Sequence, residues 1–208
     1  MTPAARLRRR RIAVGIGYVA LLALVAAVAL DRSGTFGYHG DDWAHFNQHA
    51  VRAVEVLDGD TFVASLSGPD DRVTVRLLGV DAPDAAQHWS EQASKYLTAR
   101  LADRSVTLRL DGTQTRDADG HLLAYVYVTD GDCVNVDIVR DGQAYADRRV
   151  KHSLRSSVEQ LERDARAKKR GLWKDVTDDQ QPAWRQQWLR SLPASAARRG
   201  WSDRSRND

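Results

Sequence analysis

Three kinds of apolar spacing divide this chain. The first has no period at all. From Ile12 to Leu30 the sequence IAVGIGYVALLALVAAVAL carries no charge and is apolar on every helical face. A helix of that length rises close to the ~30 Å of a bilayer's hydrocarbon core. Arg6, Arg8, Arg9, Arg10 and Arg11 precede it, and by the positive-inside rule they stay cytoplasmic while Asp31 onward faces outward. The expected order is a cytoplasmic basic leader at 1–11 and a transmembrane signal anchor at 12–30. A cleaved signal peptide is the alternative, with Ala27-Val28-Ala29 as a small-x-small site and a secreted domain beyond it. The apolar run exceeds the ~7–15 residues of a usual signal core, which favours the anchor.

The second spacing is alternation, after a linker expected at 31–49, rich in Gly, Asp, His and aromatics. His45 and His49 stand four apart beside Asp41 and Asp42, but no complete metal-ligand set accompanies them. Val54 and Val56 flank Glu55, Thr61-Phe62-Val63 follows an Asp-Gly-Asp turn, and Val73, Val75 and Leu77 alternate with Thr74 and Arg76. Val106, Leu108 and Leu110 alternate with Thr107 and Arg109, and Leu123–Val128 is a further β-rich run. Five short strands separated by glycine turns predict a small barrel.

The third spacing is helical and interrupts the strands. Ala93, Tyr96, Leu97 and Leu101 share one face of a helix from Trp89 to Leu101, Val134 and Ile138 open a short helix that Gly142 ends, and Leu154, Val158, Leu161 and Ala165 form a stripe. That last helix closes on Lys168-Lys169-Arg170 and Gly171, cations at the negative end of the helix dipole. The domain is expected at 50–176, followed by a polar tail at 177–208. There Trp184, Trp188 and Leu192 fall four apart beside Arg185 and Arg190, compatible with a short amphipathic helix docking on the domain or the membrane, or with a loosely ordered tail.

Charge alters this picture less than the totals suggest. The net charge is +3, but five arginines lie in residues 1–11, leaving 26 basic against 28 acidic residues in 12–208. Nucleic-acid binding must therefore be argued from local sites, not from bulk basicity. The single cysteine, Cys133, excludes an intramolecular disulfide and reads as a small buried hydrophobe.

The local chemistry lies in three segments, DGDT at 58–61, RLLGVDAPD at 76–84 and DADGHLLAY at 117–125. Phosphodiester cleavage needs a hard cation on oxygen ligands, a cationic fork for the charged phosphate oxygens, and a base for water. Asp60 and Asp81 are candidate metal carboxylates with Asp58 close behind, and Arg76 is a candidate fork on the strand face opposite Val75 and Leu77. Taken singly, each acid could just shape its turn and the arginine could be solvated; the combination is far more specific.

These segments, with VNVDIVRDG at 134–142 and GLW at 171–173, closely resemble the staphylococcal nuclease family, in order, over about residues 50–175. The resemblance implies a mixed α+β, mostly β fold, a five-stranded oligonucleotide-binding-type barrel with three helices, here preceded by the transmembrane helix. It implies a metal-dependent nuclease, a hydrolase that binds Ca2+ and acts on DNA or RNA, single strands preferred. Asp60, Asp81 and the backbone carbonyl of Ala82 then resemble the metal ligands, Asp58 lies in the second rank, and Arg76 resembles the first phosphate-clamping arginine. Two positions depart from the pattern. The family's glutamate is Asp84 here, one methylene shorter for a base that must reach water. Its second arginine is His121, which loses the guanidinium fork yet can donate a proton. The alternative these departures raise is a catalytically impaired barrel that binds nucleic acid or a protein partner.

Overall fold

The computed structural model describes residues 17–19, 21–27, 42–68, 71–102, 104–129 and 131–191. The basic leader, most of the 12–30 span and residues 192–208 lie outside the described residues. Residues 17–19 and 21–27 are helical with exposed apolar side chains, and no helix among the described residues is long and apolar enough to cross a membrane.

In chain order the elements are α1 (Asp42–Phe46), β1 (Ala50–Val56), β2 (Thr61–Ser65), β3 (Arg72–Leu77), β4 (Val80–Asp81), α2 (Ser90–Leu101), β5 (Ser105–Arg109), β6 (Leu122–Val128), α3 (Val134–Arg140), β7 (Tyr145–Ala146), α4 (Arg155–Ala167), a 3-10 turn (Gly171–Lys174) and α5 (Ala183–Ser191). Five strands close a barrel in the order β1-β2-β3-β6-β5, and β4 pairs with β7 beside it. The closing pair, β3 with β6, is parallel, so a long crossover through α2 and β5 must connect them.

Alternation works as expected in β3, where Val73, Val75 and Leu77 are buried and Thr74 and Arg76 face outward. It fails in β1. A register shift between Ala53 and Glu55 leaves Val54 exposed, although it alternates with Val56 in sequence. A bulge inserts one unpaired residue and resets which side chains point inward. The barrel core, formed around Phe62, Val75, Leu108 and Leu122, is covered by Ala93 and Leu97 of α2 and by Val134 and Ile138 of α3. Tyr96 is half-buried and donates its hydroxyl to Asp141 Oδ2 at 2.8 Å.

Buried Asn135 locks α3 to the barrel. Its Oδ1 accepts the Val126 N–H, and its Nδ2 donates to the carbonyls of Leu78 and Ala124. A buried amide is tolerated because its groups are paired. The expected linker at 31–49 needs correction where the structure describes it. Residues 42–49 join the domain: Phe46 enters the core, Asp42 accepts from Thr115 and Arg116, and the Gln48 N–H bonds to the Leu108 carbonyl. Polar composition suggested a solvated linker, but one buried aromatic and one paired acid suffice to dock it. In the expected tail, α5 packs on the domain through Arg185, which is buried and forks onto Glu162 of α4 at 2.8 and 3.0 Å.

Candidate active site

The turn between β1 and β2 sets the first carboxylate. Asp58 Oδ1 accepts the Asp60 N–H at 2.9 Å, an aspartate turn that fixes the backbone. Gly59 is required at its apex, because an added Cβ would stand 2.6 Å from the Cβ atoms of both Ala82 and Ala93. That close approach presses the turn against the segment after β4. Asp60, only 2% exposed, accepts the Thr61 hydroxyl on Oδ1 and the Ala82 N–H on Oδ2, both at 2.7 Å.

The second carboxylate arrives because the chain reverses after β3. Gly79 has φ +74° and sits against the His152 ring, where a Cβ would collide. The turn sends β4 back so that Asp81 meets Arg76. Arg76 Nη2 lies 3.1 Å from Asp60 Oδ2 and 2.9 Å from Asp81 Oδ1. Three of the expected site residues are thus in direct contact, with Asp58 and Ala82 bracing Asp60. Of Ala82, it is the N–H that engages Asp60 here; the sequence pointed to its carbonyl.

Two further residues complete the cluster. Arg149, in the loop after β7, donates Nη2 to the same Asp81 Oδ1 at 2.6 Å. Asp147 holds Arg149 by its backbone N–H, Nε and Nη2, each at 2.9 Å. Trp184 of α5 donates its indole N–H to Asp81 Oδ2 at 2.9 Å, and its ring lies 4.9 Å from the Arg149 guanidinium. Neither Arg149 nor Asp147 stands out locally, since Asp-Arg-Arg is an ordinary surface string. Trp184 was visible only as an aromatic spacing with several readings.

The remaining expected residues make their hydrogen bonds elsewhere. Exposed Asp84 is engaged by Gln87, whose Nε2 donates to Oδ2 at 2.7 Å. His121 Nδ1 lies 3.1 Å from Asp117 Oδ2, and its N–H bonds to Asp117 Oδ1. Among the described residues neither is hydrogen-bonded or ion-paired to Asp60, Arg76 or Asp81.

The electrostatics suit a divalent cation. Asp58, Asp60, Asp81 and Asp147 against Arg76 and Arg149 leave a formal −2 when all are ionised. Burial pushes the Asp60 carboxyl up to about 7 against the opposing pull of Arg76. Burial also raises Asp81, outweighing the lowering effects of the Trp184 N–H and Arg149. Carboxylates that favour a proton in isolation are ones a cation can stabilise, and all-oxygen donors suit a hard ion. Asp60, Asp81 and Ala82 therefore fit the implied metal.

Known proteins place this geometry. Residues 74–175 match the family model "Staphylococcal nuclease homologue". An uncharacterized endonuclease of Escherichia coli O157:H7 is 33% identical over 133 residues, covering 64% of this chain and 81% of the relative. A thermonuclease of Staphylococcus intermedius is 32% identical over 57% of this chain and 72% of its own length. A micrococcal nuclease of Shigella flexneri is 30% identical over 80% of this chain and 92% of its own length. With the motifs in order around a closed five-stranded barrel, the chain belongs to the staphylococcal nuclease homologue family.

Proposed function

We propose that this chain is a calcium-dependent nuclease that hydrolyses DNA or RNA at the outer face of a membrane. The observation that carries the reading is the convergence of Asp60, Arg76 and Asp81 on one rim of the barrel. Relatives named endonuclease, thermonuclease and micrococcal nuclease support the nuclease assignment. The apolar stretch 12–30 behind five arginines, with exposed side chains from Tyr18 to Val25 where described, supports the membrane tether.

Asp60, Asp81 and the Ala82 carbonyl would hold the calcium ion, with Asp58 behind them. When bound, it supplies charge to the phosphate and acidifies water. The protein's own groups do the rest. Arg76 trades its carboxylate partners for the equatorial phosphate oxygens, where a bidentate fork is strongest as charge grows. Asp84 must leave Gln87 to orient the attacking water. His121 would donate the proton to the departing oxygen.

A second reading, a catalytically impaired barrel that binds nucleic acid or a protein partner, is favoured by one observation. Asp84 and His121 both hold hydrogen bonds to residues outside the cluster, Gln87 and Asp117.

The test is cleavage of single-stranded DNA and RNA by the purified full chain, with calcium and with chelator, from about pH 5 to 10 to span the histidine range. Calcium-dependent products that vanish in Asp81→Asn establish the nuclease. No products at any pH, from folded protein that still binds oligonucleotide in a salt-sensitive manner, establish the second reading. Protease accessibility of the domain in intact cells tests its side of the membrane.

A further inference from the structure

The position the family pattern reserves for a second cationic fork holds His121, and His121 is occupied elsewhere, with Asp117. The site nevertheless contains a second guanidinium. Arg76 Nη2 and Arg149 Nη2 both donate to Asp81 Oδ1, at 2.9 and 2.6 Å. Their ends can be no further apart than those two bonds laid end to end. That separation suits neighbouring oxygens of a single phosphate group.

Resting on the nuclease reading, we propose that Arg149 is a catalytic residue of this chain, a second arginine that grips the scissile phosphate beside Arg76. Three features favour this over a purely structural ion pair. The first is accessibility: the Arg149 side chain is 48% exposed against 25% for Arg76, so an incoming anion reaches it without displacing buried groups. The second is aim. Asp147 fixes the Nε and Nη2 edge, and the Trp184 ring lies beside the guanidinium. Nη1 donates to no protein acceptor among the described residues, so a donor edge remains for a ligand. A guanidinium held this way loses little freedom on binding. The third is charge. Without Arg149, Asp58, Asp60, Asp81 and Asp147 would face Arg76 alone, a cluster that would repel a phosphate diester.

The exchange needs no covalent step by Arg149. Its proton stays on the guanidinium throughout, and it swaps one carboxylate acceptor, Asp81 Oδ1, for a phosphate oxygen. Asp147 remains as its anchor, which preserves its aim through the swap.

The experiment compares Arg149→Gln, Arg149→Lys and Arg76→Gln in the full chain, by two readouts. One is kcat and KM on single-stranded DNA with calcium. The other is the salt dependence of oligothymidylate binding in chelator, where no turnover occurs. Arg149→Gln is expected to lower kcat about 100-fold or more, as loss of a transition-state donor does. Its slope of log K against log salt should fall by about 0.7, one phosphate contact on a single strand. Arg149→Lys, which keeps the charge without the fork and guards against misfolding, should recover the slope but only part of kcat. The proposal is overturned if Arg149→Gln, with a normal melting profile, retains kcat within about threefold and an unchanged slope while Arg76→Gln is inactive. If the wild type binds but never cleaves, the nuclease reading fails, and the slope alone decides whether Arg149 contacts phosphate. Binding by neither wild type nor variants overturns both.

Discussion

Two acidic segments of this domain carry equally good local motifs and are built in opposite ways. At the β1–β2 turn and β4, the carboxylates of Asp60 and Asp81 are buried at 2% and 7% exposure and take donors from β2, β3, the loop after β7 and α5. In the loop before β6, Asp117 serves its own neighbours, accepting from the N–H groups of Asp119 and His121 and facing the His121 ring. Asp117, Asp119 and His121 can converge on one point, yet among the described residues their side-chain hydrogen bonds stay within 117–121. The difference teaches where to look for chemistry. A carboxylate that distant elements converge on is held in a costly environment, while one satisfied by its own loop is shaping a turn.

The largest test breaks the first segment. Asp81→Asn removes charge while keeping shape, and hydrolysis should fall to background in a calcium-dependent single-strand assay. Wild-type rates in that variant would place the chemistry elsewhere. Next in size is the support behind it. Arg185→Met strands the buried Glu162 carboxylate, a change worth about 3–5 kcal/mol, and frees Trp184 from Asp81; chemical denaturation should report the loss in the midpoint.

A smaller effect separates ionisation in the body of the fold from that in the site. His152 packs against Gly79 and places Nδ1 2.8 Å from the Tyr125 hydroxyl. Burial holds its pKa below the ordinary 6.5. The unfolded chain therefore binds the proton first, so stability is intact above pH 6.5 and is lost as pH falls below it. The gap in unfolding free energy between wild type and His152→Gln should be widest near neutral pH and shrink on acidification. Smallest of all is Asp117→Asn in the second segment. It should change calcium-dependent activity by less than about threefold and stability by about 0.5 kcal/mol or less, in the manner of surface changes. A large loss of activity there would erase the distinction drawn between the two segments.

Much of this arrangement was legible in the sequence. Asp58-Gly59-Asp60 and the run from Arg76 to Ala82 are short enough for period-2 geometry and turn chemistry to place their residues, and the buried faces of α2 and α4 follow from helical spacing. What escaped had no local signature. Val54 alternates faultlessly yet sits in a bulge. Glu162 looks like a polar interruption in the α4 stripe until Arg185 meets it. Arg149 and Trp184 are 68 and 103 positions from the Asp81 they contact, beyond the reach of any window of pattern. His121 and Asp84 show the converse: a motif aligned their positions, and in the folded chain they bond to Asp117 and Gln87.

Those separations also order events in time. Arg76 and Asp81 are five positions apart, and closing a loop of 103 residues instead costs about 3 kcal/mol more in chain entropy. During synthesis Asp58, Asp60, Arg76 and Asp81 are made while Asp147, Arg149 and α5 are still to come. The nascent domain then holds three aspartates, Asp58, Asp60 and Asp81, against one arginine, and its last 40 or so residues bring the guanidinium and the indole that bond Asp81 directly. A cation in the folding medium would relieve that interim strain, so refolding of this domain should quicken with calcium before any substrate is met.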